Sequence, residues 1–230
     1  MNIPEIIQLA SVAIIPMLFA ITLHEAAHAW MADKKGDPTA RMMGRMTLNP
    51  LAHIDPFGTI ILPLILLIVY LNGGPGFLFG YAKPVPVNYY KLRRPKTDMA
   101  WVAAAGPGMN FILAFVSGVA LRALEILYPL GAGSPLTPMF VIPLYKMFEF
   151  SVTINTFLMV FNFIPIPPLD GGRVLVGLLP EKQSSVLSSV EPFGMLLIFI
   201  LVFADPLGVM RHLFLPLVLF FKGFFFGAFL

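Results

Sequence analysis

From about Ile6 to Met31 the chain runs mostly apolar, and near the end of that run stands HEAAH, residues 24–28. A helix needs roughly 20 such residues to cross the hydrocarbon core of a bilayer. Other runs follow at about Met99 to Ile126 and Met139 to Phe163, with a shorter one at 57–71 and two more at about Val190 to Ala204 and Leu207 to Gly227. Hydrophobic residues make up 58% of the 230 and charged residues 12%, where a soluble domain has roughly 25% charged. In lipid every backbone polar group must be satisfied internally, which favours helices. The fold class expected is an all-α polytopic membrane protein, in one domain over 1–230. Its core spans about 6–180, with C-terminal membrane segments at about 190–227. The first run has no basic stretch before it, so it reads as a retained span. No nucleic-acid partner is expected.

Lys and Arg placement sets the orientation. Lys34, Lys35, Arg41 and Arg45 follow the first run; Lys83, Lys91, Arg93, Arg94 and Lys96 precede the second; Arg173 and Lys182 follow the third. The connection 127–138 and residues 1–5 carry none. The basic regions are expected in the cytoplasm of a multi-pass cell-membrane protein. Residues 57–79 must then enter and leave on one side. Pro63 and the NGGPG turn at 72–76 suit a re-entrant hairpin with FLFGY as its return; a plain crossing is the alternative.

His24 and His28 lie four residues apart, on one face of a helix. They can bind one metal ion from adjacent turns, with Glu25 placed to act on a nearby water, as HExxH arrangements do. The chain has no cysteine, so further ligands must be His, Asp or Glu. A catalytic zinc site usually takes three protein ligands. Asp170 is the candidate third: Pro165, Pro167 and Pro168 force an extended approach, and Gly171 and Gly172 permit a tight turn. Ionisable groups within a span cost roughly 2.5–3.5 kcal/mol each, so three together call for a compensating partner; hydrogen bonds from the histidines to neighbouring helices are the other account.

HEAAHAW, MTLNPLAHIDPFGTI, GYAKPVPVN, AGPGMN and FNFIPIPPLDGGR together resemble the site-2 protease family of intramembrane zinc metalloproteases, in its short branch without PDZ or CBS domains. The resemblance runs from about residue 20 to 180. It implies a three-span core, one zinc ion per chain held by His24, His28 and Asp170, and Glu25 as catalytic base. It also implies peptide-bond hydrolysis in a transmembrane protein or peptide substrate, near the cytoplasmic side of the bilayer. Asn110 and Asn162 are candidates to bind substrate or the oxyanion; an interhelical hydrogen bond is the other account of each. A homo-oligomer stays open, as do a metal-ion transporter and a client-binding protein that does not cut. PIPPL (165–169) and AKPVPVN (82–88) are candidate extended segments for pairing with an unwound substrate. Lys146 and Glu149 are expected to form an ion pair, and His53 to be a loop histidine bonded to backbone, with a place near the catalytic mouth, implied by the resemblance, as the alternative.

Overall fold

The computed structural model describes residues 3–71, 80–128 and 137–227, and among these it is mostly helical with no strand. The elements are α1 (Ile3–Lys34), α2 (Thr39–Met42), α3 (Leu62–Leu71), α4 (Pro95–Leu127), α5 (Ile142–Asn162), α6 (Asp170–Leu178), α7 (Glu181–Ser189), α8 (Glu191–Phe203) and α9 (Leu215–Gly227). A π-helical turn leads into α3 and another into α9. Local sequence explains several boundaries. Asp55 caps the turn at Pro56–Ile61 by accepting from the N–H groups of Phe57 and Gly58. Pro95 opens α4 at a position where its missing N–H costs nothing. Asp98 in the first turn then accepts from the Arg94 N–H at 2.8 Å.

The core is α1, α4 and α5. Helix α4 offers it a seam of small or polar side chains, Ala100, Ala103, Gly106, Asn110, Ala114 and Ser117, all buried. Helices in lipid associate through such close, small-residue contacts. The opposite face, with Ile112, Val116 and Val119, is exposed and suits lipid. Helix α4 lies antiparallel to both partners. Lys35, just beyond α1, pairs with Asp98 at the start of α4 at 3.2 Å, while Asn110 meets Asn155 and Ser117 meets Ser151 along α5. Helix α9 covers this core from outside: Phe214 sits edge-on to Phe157 and Phe161, and Phe225 packs with Ala114, Leu121 and Val152.

Three helices among the described residues are long and apolar enough to cross a membrane: Val12–Lys34, Pro95–Leu127 and Met210–Gly227. Helix α5, expected as the third span, is 21 residues long but falls outside that set. Lys146, Glu149, Ser151, Thr153 and Asn155 dilute it, and the last of these turns inward. The expected run at 190–204 becomes α8, 13 residues long, bent 65° from α7. At 1.5 Å per residue α8 alone reaches only about 20 Å.

Two local expectations need correction. Residues 163–169 are not extended: Ile166 N–H bonds to Ile164 O and Leu169 N–H to Ile166 O, and the Pro167–Pro168 peptide is cis. Prolines bar a helix here, but short-range turns win over a strand. Lys146 and Glu149 form no ion pair; Glu125 on α4 pairs instead with Arg122 at 2.6 Å and accepts from the Tyr145 hydroxyl at 3.2 Å.

The excursion after His53 returns to where it began. Tyr81 N–H bonds to Gly58 O at 3.0 Å, Thr59 Oγ1 donates to Tyr81 O at 2.9 Å, and Lys83 N–H bonds to His53 O at 2.9 Å. The chain at 58 and the chain at 81 therefore lie side by side, as a re-entrant element requires; the turn at 72–76 and most of the FLFGY return lie outside the described residues. The two basic loops also bond to each other, Asn88 N–H to Asp37 Oδ2 at 2.6 Å and Arg93 N–H to Lys35 O at 3.1 Å. The native chain has no cysteine, which makes single-cysteine labelling direct. Leu51→Cys and Lys83→Cys, both at exposed positions, should react with a membrane-impermeant maleimide from the same face of oriented vesicles. Labelling from opposite faces would mean a full crossing.

Candidate metal centre

Helix α1 puts His24 and His28 one turn apart, their rings edge-on with centroids 4.6 Å apart. The first residue of α6, Asp170, comes to meet them. His24 Nε2 and His28 Nε2 are 3.0 Å apart, and Asp170 Oδ2 lies 3.2 Å from the first and 3.3 Å from the second. A tetrahedral zinc with bonds of about 2.0–2.1 Å holds its ligand atoms about 3.3 Å from one another. The three atoms thus form one face of such a tetrahedron, and two imidazoles with one carboxylate suit zinc. Asp170 lies beyond the end of α5.

The outer nitrogens of both rings are engaged. His28 Nδ1 donates to the Val102 carbonyl at 2.7 Å, and His24 Nδ1 to Asn110 Oδ1. With Nδ1–H used as donor, Nε2 keeps its lone pair for a metal, the usual arrangement for ligating histidines. Asn110 is fully buried; its amide donates to Asn155 Oδ1 at 2.8 Å and Ala20 O at 3.3 Å. Asn155 donates in turn to Ser151 O at 2.9 Å, and Ser151 meets Ser117 at 2.8 Å. A polar chain therefore runs from His24 into the helix seam. Asn110 is spent on His24, whereas Asn162 folds back on its own helix and donates to Leu158 O at 3.0 Å. His53 is buried and bonds to Thr47 O at 3.0 Å, with no bond to the centre among the described residues. Glu25, half-buried beside the histidines, accepts from the Val85 N–H at 2.9 Å.

Glycines set the spacing. A Cβ on Gly106 would stand 2.3 Å from His28 Nε2 and 2.6 Å from His24 Cε1. On Gly171 it would meet Phe163 O at 2.3 Å, and on Gly172 the Pro167 nitrogen at 2.1 Å. Both lie in the first turn of α6 rather than in the tight turn expected. They are needed because the chain at 163–167 presses against that turn. Asn155, the Val102 carbonyl and the Val85 N–H were not singled out from sequence. Asn155 had a signal, as an uncharged polar residue one turn after Ser151 inside an apolar run. The two backbone groups had none.

These features make a candidate metal centre of two histidines and one carboxylate, with an adjacent glutamate, in a chain with helices long and apolar enough to cross a membrane. Known proteins give the same class. The profile of Peptidase family M50 matches residues 12–142 and 125–204. Over 195 residues the chain is 37% identical to "Putative zinc metalloprotease YwhC" of Bacillus subtilis, covering 85% of this chain and 81% of that protein. It is 30% identical to "Putative zinc metalloprotease Rip2" of Mycolicibacterium smegmatis, covering 83% of this chain and 66% of that one. No solved structure is a significant match. The chain belongs to peptidase family M50, the site-2 protease family of zinc metalloproteases.

Two substitutions probe the centre. Gly106→Ala would drive a methyl group into both imidazoles, so purified protein should carry markedly less zinc than wild type by elemental mass spectrometry. Asn110→Ala frees His24 Nδ1 and should weaken zinc affinity about 10–100-fold in a competition titration with a chelator. Unchanged affinity would reduce Asn110 to helix packing.

Proposed function

We propose that this protein hydrolyses peptide bonds of membrane-spanning substrates, with one zinc held by His24, His28 and Asp170. The observation that carries the reading is the triangle of ligand atoms with 3.0–3.3 Å edges, set beside Glu25. Zinc bound there would supply Lewis-acid polarisation of the scissile carbonyl and a lowered pKa for water. Glu25 is the base: its carboxylate takes the proton of the attacking water and passes it to the leaving amine. Val102 and Asn110 hold the two imidazoles in one tautomer and one orientation. Asn162, whose side-chain oxygen makes no hydrogen bond among the described residues, remains the candidate to contact substrate.

The site belongs toward the cytoplasmic side of the cell membrane. His28 stands six residues before Lys34, about 9 Å along the helix. Exposed Trp30 and Trp101 mark the interface just beyond, with Lys34 4.6 Å and Lys35 5.6 Å from their ring centroids. The loops at this end carry most of the chain's Lys and Arg, which supports a cytoplasmic face. A substrate helix must unwind here before its peptide bond can be attacked, because its carbonyls are otherwise hydrogen-bonded.

Protein purified in detergent should carry about one zinc per chain, and Asp170→Ala markedly less. Glu25→Gln should keep the metal and lose cleavage of a single-span peptide by about 10²–10⁴-fold. A Glu25→Gln protein that cuts at the wild-type rate would remove Glu25 from the chemistry. Wild-type protein that holds no zinc would remove the metal assignment.

A further inference from the structure

We infer that Arg45 positions the catalytic base, acting through the backbone of residues 83–85; this rests on reading Glu25 as that base. Glu25 has a flexible side chain, and in this structure a backbone donor holds it: Val85 N–H meets Oε2 at 2.9 Å. One oxygen is thereby fixed and the other stays available for proton transfer.

The donor comes from a stiff piece of chain. Pro84 has a fixed φ and Val85 precedes Pro86, so both are confined to extended conformations. Alternate N–H groups of the segment face one way. Tyr81 bonds to Gly58 O at 3.0 Å, Lys83 to His53 O at 2.9 Å, and Val85 to Glu25. Pro84 and Pro86 have no N–H to offer the other edge. The edge on which this segment could pair with an unwound substrate is therefore already filled, and its last donor is given to Glu25.

Arg45 fastens this piece from the other side. Its Nη2 donates to Lys83 O at 2.8 Å and reaches Pro84 O at 3.4 Å. Pro84 O belongs to the same peptide unit as the Val85 N–H, so the guanidinium and the Glu25 carboxylate grip the two ends of one rigid plane. Arg45 is itself anchored, its own N–H bonding to Ala40 O at 2.8 Å. Moving the guanidinium away frees that plane to tilt and releases the carboxylate.

The test reads the Val85 amide directly. Within 84–86 it is the only exchangeable backbone amide, since prolines carry none. In zinc-loaded protein in micelles it should exchange slowly. Exchange should quicken at least tenfold in Glu25→Ala and in Arg45→Ala, and return near wild type in Arg45→Lys, which keeps a cationic donor. The Asn88 amide, held by Asp37 at 2.6 Å, should stay unchanged as an internal control. On a single-span test peptide Arg45→Ala should lower kcat at least tenfold, with KM and zinc content unchanged and with recovery in Arg45→Lys. The inference falls if Val85 exchange ignores Arg45, if Asn88 loses protection together with Val85, or if lost rate only tracks lost zinc. A rise in kcat would overturn it too, making the contact an inhibitory latch. If wild type cleaves no peptide, the proteolytic reading fails, while the exchange experiment still decides whether Arg45 holds Glu25.

Discussion

The approach of α4 to α1 at Gly106 governs the geometry of the centre. Val102, Gly106 and Asn110 lie at four-residue steps on one face of α4, directly over the histidine pair. The carbonyl of the first takes one imidazole N–H and the amide oxygen of the last takes the other. The glycine between them leaves room for both rings. A single helix face thus sets ring orientation, tautomer and helix spacing together, and none of the three can shift alone.

The polar interior follows from that arrangement. Buried polar groups in lipid must find partners, and Asn110 finds Asn155 and Ala20, which passes the requirement on to Ser151 and Ser117. Helix α5 is therefore less apolar than a simple lipid-facing span and sits in the core beside α1 and α4. Helix α9, apolar and mostly exposed, covers it from the lipid side. The same logic of close approach brings in Asp170. Gly171 and Gly172 let the first turn of α6 rest on the backbone of 163–167, and the carboxylate at that turn reaches the imidazoles.

At the basic end of the helices the loops are joined by hydrogen bonds and form a layer over the site. Asp37 holds Asn88, Lys35 holds Arg93, His53 holds Lys83 and Arg45 holds the carbonyls beside it. That layer joins both basic loops at one end of the helices and brings the two ends of segment 58–81 together. It also delivers a backbone donor to Glu25.

The amino-acid order determined the chemistry of the centre. Histidines four apart on a helix share a face, and charged groups inside an apolar run need compensation, so HEAAH and LDGG could be read as parts of one site before any coordinates. Lys and Arg placement likewise pointed to an even number of crossings between the basic loops, with a plain crossing as the alternative. The tertiary structure decided what packing alone can set. Asn110 could be read as a substrate contact or an interhelical bond, and only its distance to His24 chose between them. The turns at 163–169 replaced an expected extended segment, because proline bars a helix without specifying what takes its place. Glu149 lost its sequence neighbour as a partner, while Glu125 gained Arg122. The hold of the Val85 N–H on Glu25 left no trace in the sequence, because it runs through a backbone group that nearly every residue possesses and that only folding brings to the site.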